Sequence, residues 1–258
     1  MRKLTGLGLA GLLALAACPS HTLLSLADQQ AIQTSHCGKT RFLKQSFFVG
    51  PFFTYDDRLF ISERGFDERV LVESPGGDPI LPEKPSGVLP MGSRVRIREI
   101  EFPTSSAISD RKLKSPRHFV WVSLELAGGE TPKPYVLVLT QELRSPADFD
   151  SALGTVLLDK DPRADFASRL PEVLEAIDRK TLVKGMRADA LMRSRGYPDK
   201  ITREVIKGAR VEHWLYTPSR KVVLRDDRVE SWEGFGEPAV EPAPPPAAPS
   251  APAEGGEG

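Results

Sequence analysis

The chain has 258 residues, 40% hydrophobic and 27% charged, the balance of a globular protein rather than a disordered or fibrous one. Lysine plus arginine and aspartate plus glutamate number 35 each, so the formal net charge is zero. That balance argues against nucleic acid as a partner, because a polyanion calls for a strongly basic surface.

Arg2 and Lys3 precede an apolar run over 4–17, and small residues close it. These are the three parts of a secretory signal. Leu15-Ala16-Ala17-Cys18 resembles the lipobox of bacterial lipoproteins. The resemblance implies that residues 1–17 are removed and that the Cys18 sulfur is diacylated, making membrane lipid a partner of the mature chain. An ordinary signal peptide, or an uncleaved anchor, with a chance cysteine is the alternative. Pro19, where the residue associated with inner-membrane retention is Asp, implies the outer membrane, with the protein lipid-anchored on its periplasmic side. After Ala17 no apolar run approaches the ~20 residues that span a bilayer, so attachment rests on the acyl chains. Cys37 is the second of two cysteines; with Cys18 lipidated it is either buried or paired with another chain.

Residues 18–46 read as a tether, with a short helix starting near Leu23, Leu24, Leu26 and Ala27. Residues 47–145 read as a β-rich domain. Phe47-Phe48-Val49 and Phe52-Phe53 flank Gly50-Pro51, Arg69-Val70-Leu71-Val72 is β-prone, and 73–90 is a loop with five prolines. Arg94-Val95-Arg96-Ile97 alternates and so does Ile100-Glu101-Phe102, but the parity slips at Arg98-Glu99, which predicts a bulge. Val120, Val122, Leu124 and Leu126 alternate, while Tyr135-Val136-Leu137-Val138-Leu139 is continuously apolar, as in a strand buried on both faces. Short strands and proline-rich loops predict a small antiparallel barrel or sandwich. The stretch from Gly87-Val88-Leu89-Pro90 to Arg94-Val95-Arg96-Ile97 resembles the glycine turn and strand of bacterial SH3-like domains, which implies a small barrel able to grip peptidoglycan.

Residues 146–181 read as a connector and helix. Leu170, Val173, Leu174 and Ile177 form one helical face, with Pro171 in the first turn, where a missing N–H costs nothing. Residues 182–233 read as a second domain whose first helix starts near 168. Gly196 and Pro198 stop a helix sharply, and strands follow over 211–216, 221–224 and 228–232, with a turn at Asp226-Asp227. Gly185-Met186, Gly196-Tyr197-Pro198, Trp214-Leu215-Tyr216 and the closing hairpin resemble the BamE/SmpA-like family, although Arg187 replaces its usual helix N-cap residue. The resemblance implies two helices on a three-stranded antiparallel sheet. The expected fold class is therefore α+β, an SH3-like barrel followed by that domain. Residues 234–258 are rich in Pro, Ala, Glu and Gly and read as a disordered tail.

No convincing chemistry emerges. Gly6-Leu7-Gly8-Leu9-Ala10-Gly11 imitates a dinucleotide loop inside the signal, and Ser109-Asp110-Arg111-Lys112 lacks the companion motifs of acylating enzymes. His21, His36, His118 and His213 are scattered, so no catalytic residue, metal or cofactor is expected. Trp214, Tyr216, Arg225, Arg228 and Trp232 are candidates for protein binding, since aromatics and Arg dominate interface hot spots; the aromatics are equally candidates for a core face. The expectation is a non-enzymatic outer-membrane lipoprotein acting as scaffold or accessory factor in outer-membrane protein assembly or envelope integrity, with an envelope protein as partner. A peptidoglycan-binding lipoprotein is the alternative.

Overall fold

The computed structural model describes residues 24–51, 55–66, 72–73, 79–80, 84–103, 119–128, 133–141, 143–217 and 219–236. Cys18, His21, the Ser109-Asp110-Arg111-Lys112 motif, His118 and the Pro-rich tail lie outside them. The elements run α1 (Leu26–His36), β1 (Thr40–Leu43), β2 (Phe47–Pro51), β3 (Leu59–Ser62), β4 (Val72–Glu73), β5 (Pro79–Ile80), β6 (Gly87–Leu89), β7 (Arg94–Glu101), β8 (Val120–Leu126) and β9 (Tyr135–Leu139). Then come α2 (Pro146–Gly154), β10 (Leu157–Leu158), a 3-10 turn (Pro162–Phe166), α3 (Pro171–Asp178), α4 (Ala188–Arg195), β11 (Lys200–Ile206), β12 (Ala209–Thr217), β13 (Arg220–Arg225) and β14 (Arg228–Glu233).

Eight strands form one curled half-barrel in the order β10-β1-β7-β8-β9-β3-β2-β6, antiparallel except for β3 beside β9. Its two faces are both apolar because successive side chains alternate across a strand. Phe47, Val49, Ile61, Val122, Leu137 and Leu139 point to one side, where they pack with Ile32 of α1 and Phe149, Ala152 and Leu153 of α2. Phe48, Phe60, Trp121, Val136 and Val138 point to the other and pack with Phe66. This explains the continuous apolar run of β9, all five residues of which are buried. The predicted bulge is present: pairing of β7 with β8 shifts between Ile97 and Glu99, which returns Ile100 to the same core as Ile97.

The second sheet is β11-β12-β13-β14, with α3 and α4 on one face. Pro171 does occupy the first turn of α3. Arg187 caps α4 without a side-chain hydrogen bond, and Gly196 ends that helix at φ +80°. Asp226 and Asp227, at φ +47° and +67°, make the turn between β13 and β14, the left-handed pair that matches strand twist in a two-residue hairpin.

The expected fold class is overturned: the protein is mostly sheet, eight strands and then four, not an SH3-like barrel and a BamE-like two-helix, three-strand domain. Two physical reasons account for the difference. The stretches taken as tether and connector supply β1 and β10, which pair with each other through Phe42↔Leu158 and Leu43↔Leu157. Strands of four and two residues carry too little alternation to be read in sequence. The strand missed in the second sheet, β11, is exposed along nearly its whole length, so no burial pattern marks it.

Among the described residues, one buried lysine bonds across the seam between the half-barrel and the second sheet's helices. Lys180 is fully buried, with φ +54°, and its Nζ donates to the Ser46 carbonyl at 2.8 Å and to the Ser194 carbonyl. The ammonium lies 4.9 Å from the Phe48 ring centroid. Around it, Ser46 N–H donates to the Arg193 carbonyl, Arg163 reaches both the Met91 carbonyl and Asp178, and Arg64 clamps Asp199 and the Tyr197 carbonyl. Gly92, at φ +79°, permits the close approach of this segment, since a Cβ there would sit 2.6 Å from Asp161 Oδ1 and 2.9 Å from Arg163 Cγ. Met91 and Phe166 complete the core of the second sheet. Replacing Lys180 by Met strands two buried carbonyls, each of which needs a donor. Lys180→Met should therefore cost about 3 kcal/mol in urea denaturation. The wild-type chain should unfold in one transition by both near-UV and far-UV dichroism; two separated transitions would contradict a shared seam.

Candidate docking site

Trp214 and Tyr216 share a face, and that face is the core: they are 4% and 1% exposed. The Trp214 indole N–H donates to Glu212 Oε2 at 2.7 Å, and the Tyr216 hydroxyl donates to the Gly196 carbonyl at 3.1 Å. Trp232 is half-buried against the same cluster. Trp214 and Tyr216 hold the second sheet on its helices and present no side chain to a partner, while Trp232 keeps part of its surface open. Arg225 pairs with Glu230 at 2.9 Å, and Arg228 donates to the Gly185 carbonyl at 3.1 Å, so both brace the hairpin locally.

The surface that does project is the ribbon of β11 and β12. Lys207 and Gly208, at φ +52° and +83°, turn one strand into the other, with Ile206 opposite Ala209. Val205 is 74% exposed and Ile206 39%. Sequence reasoning missed this turn because Lys-Gly lacks the Asn or Asp that usually marks such a turn. The exposed branched pair before the glycine was the available signal. The ribbon is net basic: Lys200, Arg203, Lys207 and Arg210 outnumber Glu212, which pairs with Arg203 and Arg210, and Glu204, which faces His213 at 2.8 Å.

Glu212 stiffens the base of the ribbon. Its carboxylate is buried and accepts from Trp214, from Arg203 Nε at 3.0 Å and from Arg210 Nε at 2.8 Å. Burial alone would raise its pKa, but the hydrogen bonds from Trp214, Arg210 and Arg203 outweigh it and hold the carboxyl below its usual value. A charged, fully bonded Glu212 fixes both arginines where β11 meets solvent.

Two other places bear on chemistry. A cleft of about 310 Å³ lies at the seam, lined among others by Lys44, Phe47, Glu63, Leu139, Thr155 and Tyr197. It is at the small end of ligand cavities. Glu63 is held by the Gln45 amide at 2.6 Å, and Lys44 has its pKa lowered by burial and then by the Arg193 charge. At the end of α1, His36 Nε2 meets Asp150 at 2.8 Å, while Cys37 lies by Glu99 and the Ile100 backbone. The adjacent histidine and thiol thus have separate partners, and burial followed by the Glu99 charge keeps the thiol protonated. Among the described residues no group of three His, Cys, Asp or Glu side chains is placed to hold a metal ion. No family model, curated protein or solved structure matches the chain.

His36 makes the junction of α1 with α2 sensitive to acid. Its ring packs 5.1 Å from Phe149, and its buried Nδ1 has no hydrogen-bond partner among the described residues. Burial lowers its pKa below the usual 6.5, against the opposing pull of Asp150. The unfolded chain therefore takes up the proton first, and stability falls as pH drops through about 6.5 towards the folded value. Urea midpoints at about pH 7.5 and about pH 5.5 should differ more for wild type than for His36→Gln. An equal difference in the two proteins would show that His36 does not carry the effect.

Proposed function

We propose that this protein is a lipid-anchored component of the outer envelope of a Gram-negative bacterium, held on the periplasmic side of the outer membrane. There it docks other envelope proteins, as a scaffold or accessory factor in outer-membrane protein assembly or envelope integrity. Leu15-Ala16-Ala17-Cys18, after its basic and apolar lead, supports the location. The projecting basic ribbon, with Val205 and Ile206 exposed beside an edge of β11 that is open among the described residues, carries the docking reading. A rigid body suits the role: the ribbon grows from a sheet locked to the half-barrel by Lys180, so a partner held at its tip has a defined position relative to the half-barrel. The peptidoglycan alternative loses its basis, since it rested on an SH3-like barrel that the eight-stranded sheet replaces.

Two measurements test this reading. Cys18→Ser should move the protein from the outer-membrane fraction to the soluble periplasm; retention in the membrane sinks the lipoprotein assignment. A photo-crosslinking amino acid at Val205 should trap a defined envelope protein in living cells, while the same probe at exposed Lys160 should not. Equal trapping at both positions, or none at Val205, removes the ribbon as the docking site.

A further inference from the structure

We infer that the outer edge of β11 receives an extended, acidic segment of a partner protein, which adds to the second sheet as a fifth, antiparallel strand. This rests on the docking role proposed for the ribbon and names what the ribbon binds.

The backbone supplies the first argument. Residues flanking a two-residue hairpin turn exchange both of their main-chain hydrogen bonds. Ile206 and Ala209 flank Lys207-Gly208, so Ile206 directs its N–H and C=O towards β12. Counting back by twos, Glu204, Thr202 and Lys200 do the same. The Leu215 carbonyl opposite Lys200 agrees with that parity, since it faces β11 and accepts from the Asp199 N–H at 2.7 Å. Ile201, Arg203 and Val205 therefore turn their N–H and C=O groups outward. Among the described residues β11 pairs with β12 alone, and Thr202, Arg203, Glu204, Val205 and Ile206 are all exposed. A row of alternating donors and acceptors is complementary to one kind of object, another extended strand.

Charge decides which strand. A second copy of this chain is disfavoured: the one antiparallel register that overlaps the whole of β11 with itself sets Arg203 opposite Arg203, and like charges directly opposite destabilise a pair. The stretch 237–258 of the chain itself is studded with proline, which cannot donate to a ladder. Lys200, Arg203, Lys207 and Arg210 against Glu204 and Glu212 leave the ribbon a net basic strip, with Glu212 holding two of the guanidinium groups in place. The complementary segment carries an acidic residue opposite Arg203 and β-branched residues opposite Ile201 and Val205, where cross-strand packing covers them.

The parity makes this testable without disturbing the protein. The probe is a fluorescein-labelled heptapeptide amide, Thr-Val-Lys-Glu-Thr-Val-Glu, titrated into the full chain in mild detergent and followed by anisotropy. Its second, fourth and sixth residues face Val205, Arg203 and Ile201. Saturable binding is expected, and N-methylation at those three residues should weaken it by about tenfold or more, since each loses a ladder hydrogen bond. N-methylation at the third and fifth residues, whose N–H groups point away from β11, should leave binding unchanged. Val205→Pro blocks the outward donor while sparing the bonds to β12, and should abolish binding with the dichroism spectrum retained. Absence of saturable binding, or equal loss with both methylation patterns, overturns the inference. So does a peptide-inert chain that instead binds anionic phosphatidylglycerol vesicles through the ribbon tip. In any of these cases, continued crosslinking at Val205 would leave the docking role standing through side-chain contacts, whereas loss of both would end it.

Discussion

One buried ammonium organises the molecule. Lys180 has no exposure, yet it carries a charge-bearing group into the junction between two sheets. Burying such a group without partners is costly, and here the partners come from both sides: the Ser46 carbonyl at the start of β2, the Ser194 carbonyl in α4 and the face of Phe48. Satisfying Lys180 therefore requires the half-barrel and the helical layer to meet in one arrangement. Arg163 and Arg64 add to it at the rim: Arg163 bonds the Met91 carbonyl and the Asp178 carboxylate of α3, and Arg64, just past β3, bonds the Tyr197 carbonyl and Asp199 in the connection from α4 to β11. The seam is thus held by directional polar contacts, while Met91 and Phe166 supply its apolar filling.

Rigidity at the seam has a consequence at the far end of the second sheet. The ribbon of β11 and β12 has no core of its own; its tip residues are exposed on both faces. It is kept in place at its base, where Trp214 and Tyr216 are packed and Glu212 accepts from an indole and two arginines. The buried aromatics and the exposed branched residues lie on the same two strands, and they divide the labour: the first position the ribbon, the second meet what comes to it. A side chain cannot do both, because an anchor for a partner must be accessible before binding.

Much of the local structure was legible in the chain. The bulge at Arg98-Glu99, the doubly buried strand over 135–139, Pro171 in a first helical turn, the stop at Gly196 and the turn at Asp226-Asp227 all follow from alternation or from residues with restricted backbones. Legibility failed where a strand was too short or too exposed to print a pattern. β1 and β10 are four and two residues long and acquire their role only by pairing across the chain. β11 alternates in space but not in burial, so its sequence resembles a solvated segment. The resemblance to a two-helix, three-strand domain was drawn from punctuation at turns and helix ends, and such punctuation does not count strands.

By itself the sequence determined which short segments are extended, where helices stop, and the lipobox-like motif at Cys18, because each depends on neighbours within a few residues. Only the tertiary structure decided that Trp214 and Tyr216 are core, that Lys180 bonds across the seam, and that β11 is an open edge among the described residues. Burial and strand pairing join residues far apart in the chain; Ser46 and Lys180 are bonded across 134 positions. A local pattern cannot encode a partner that folding alone brings near.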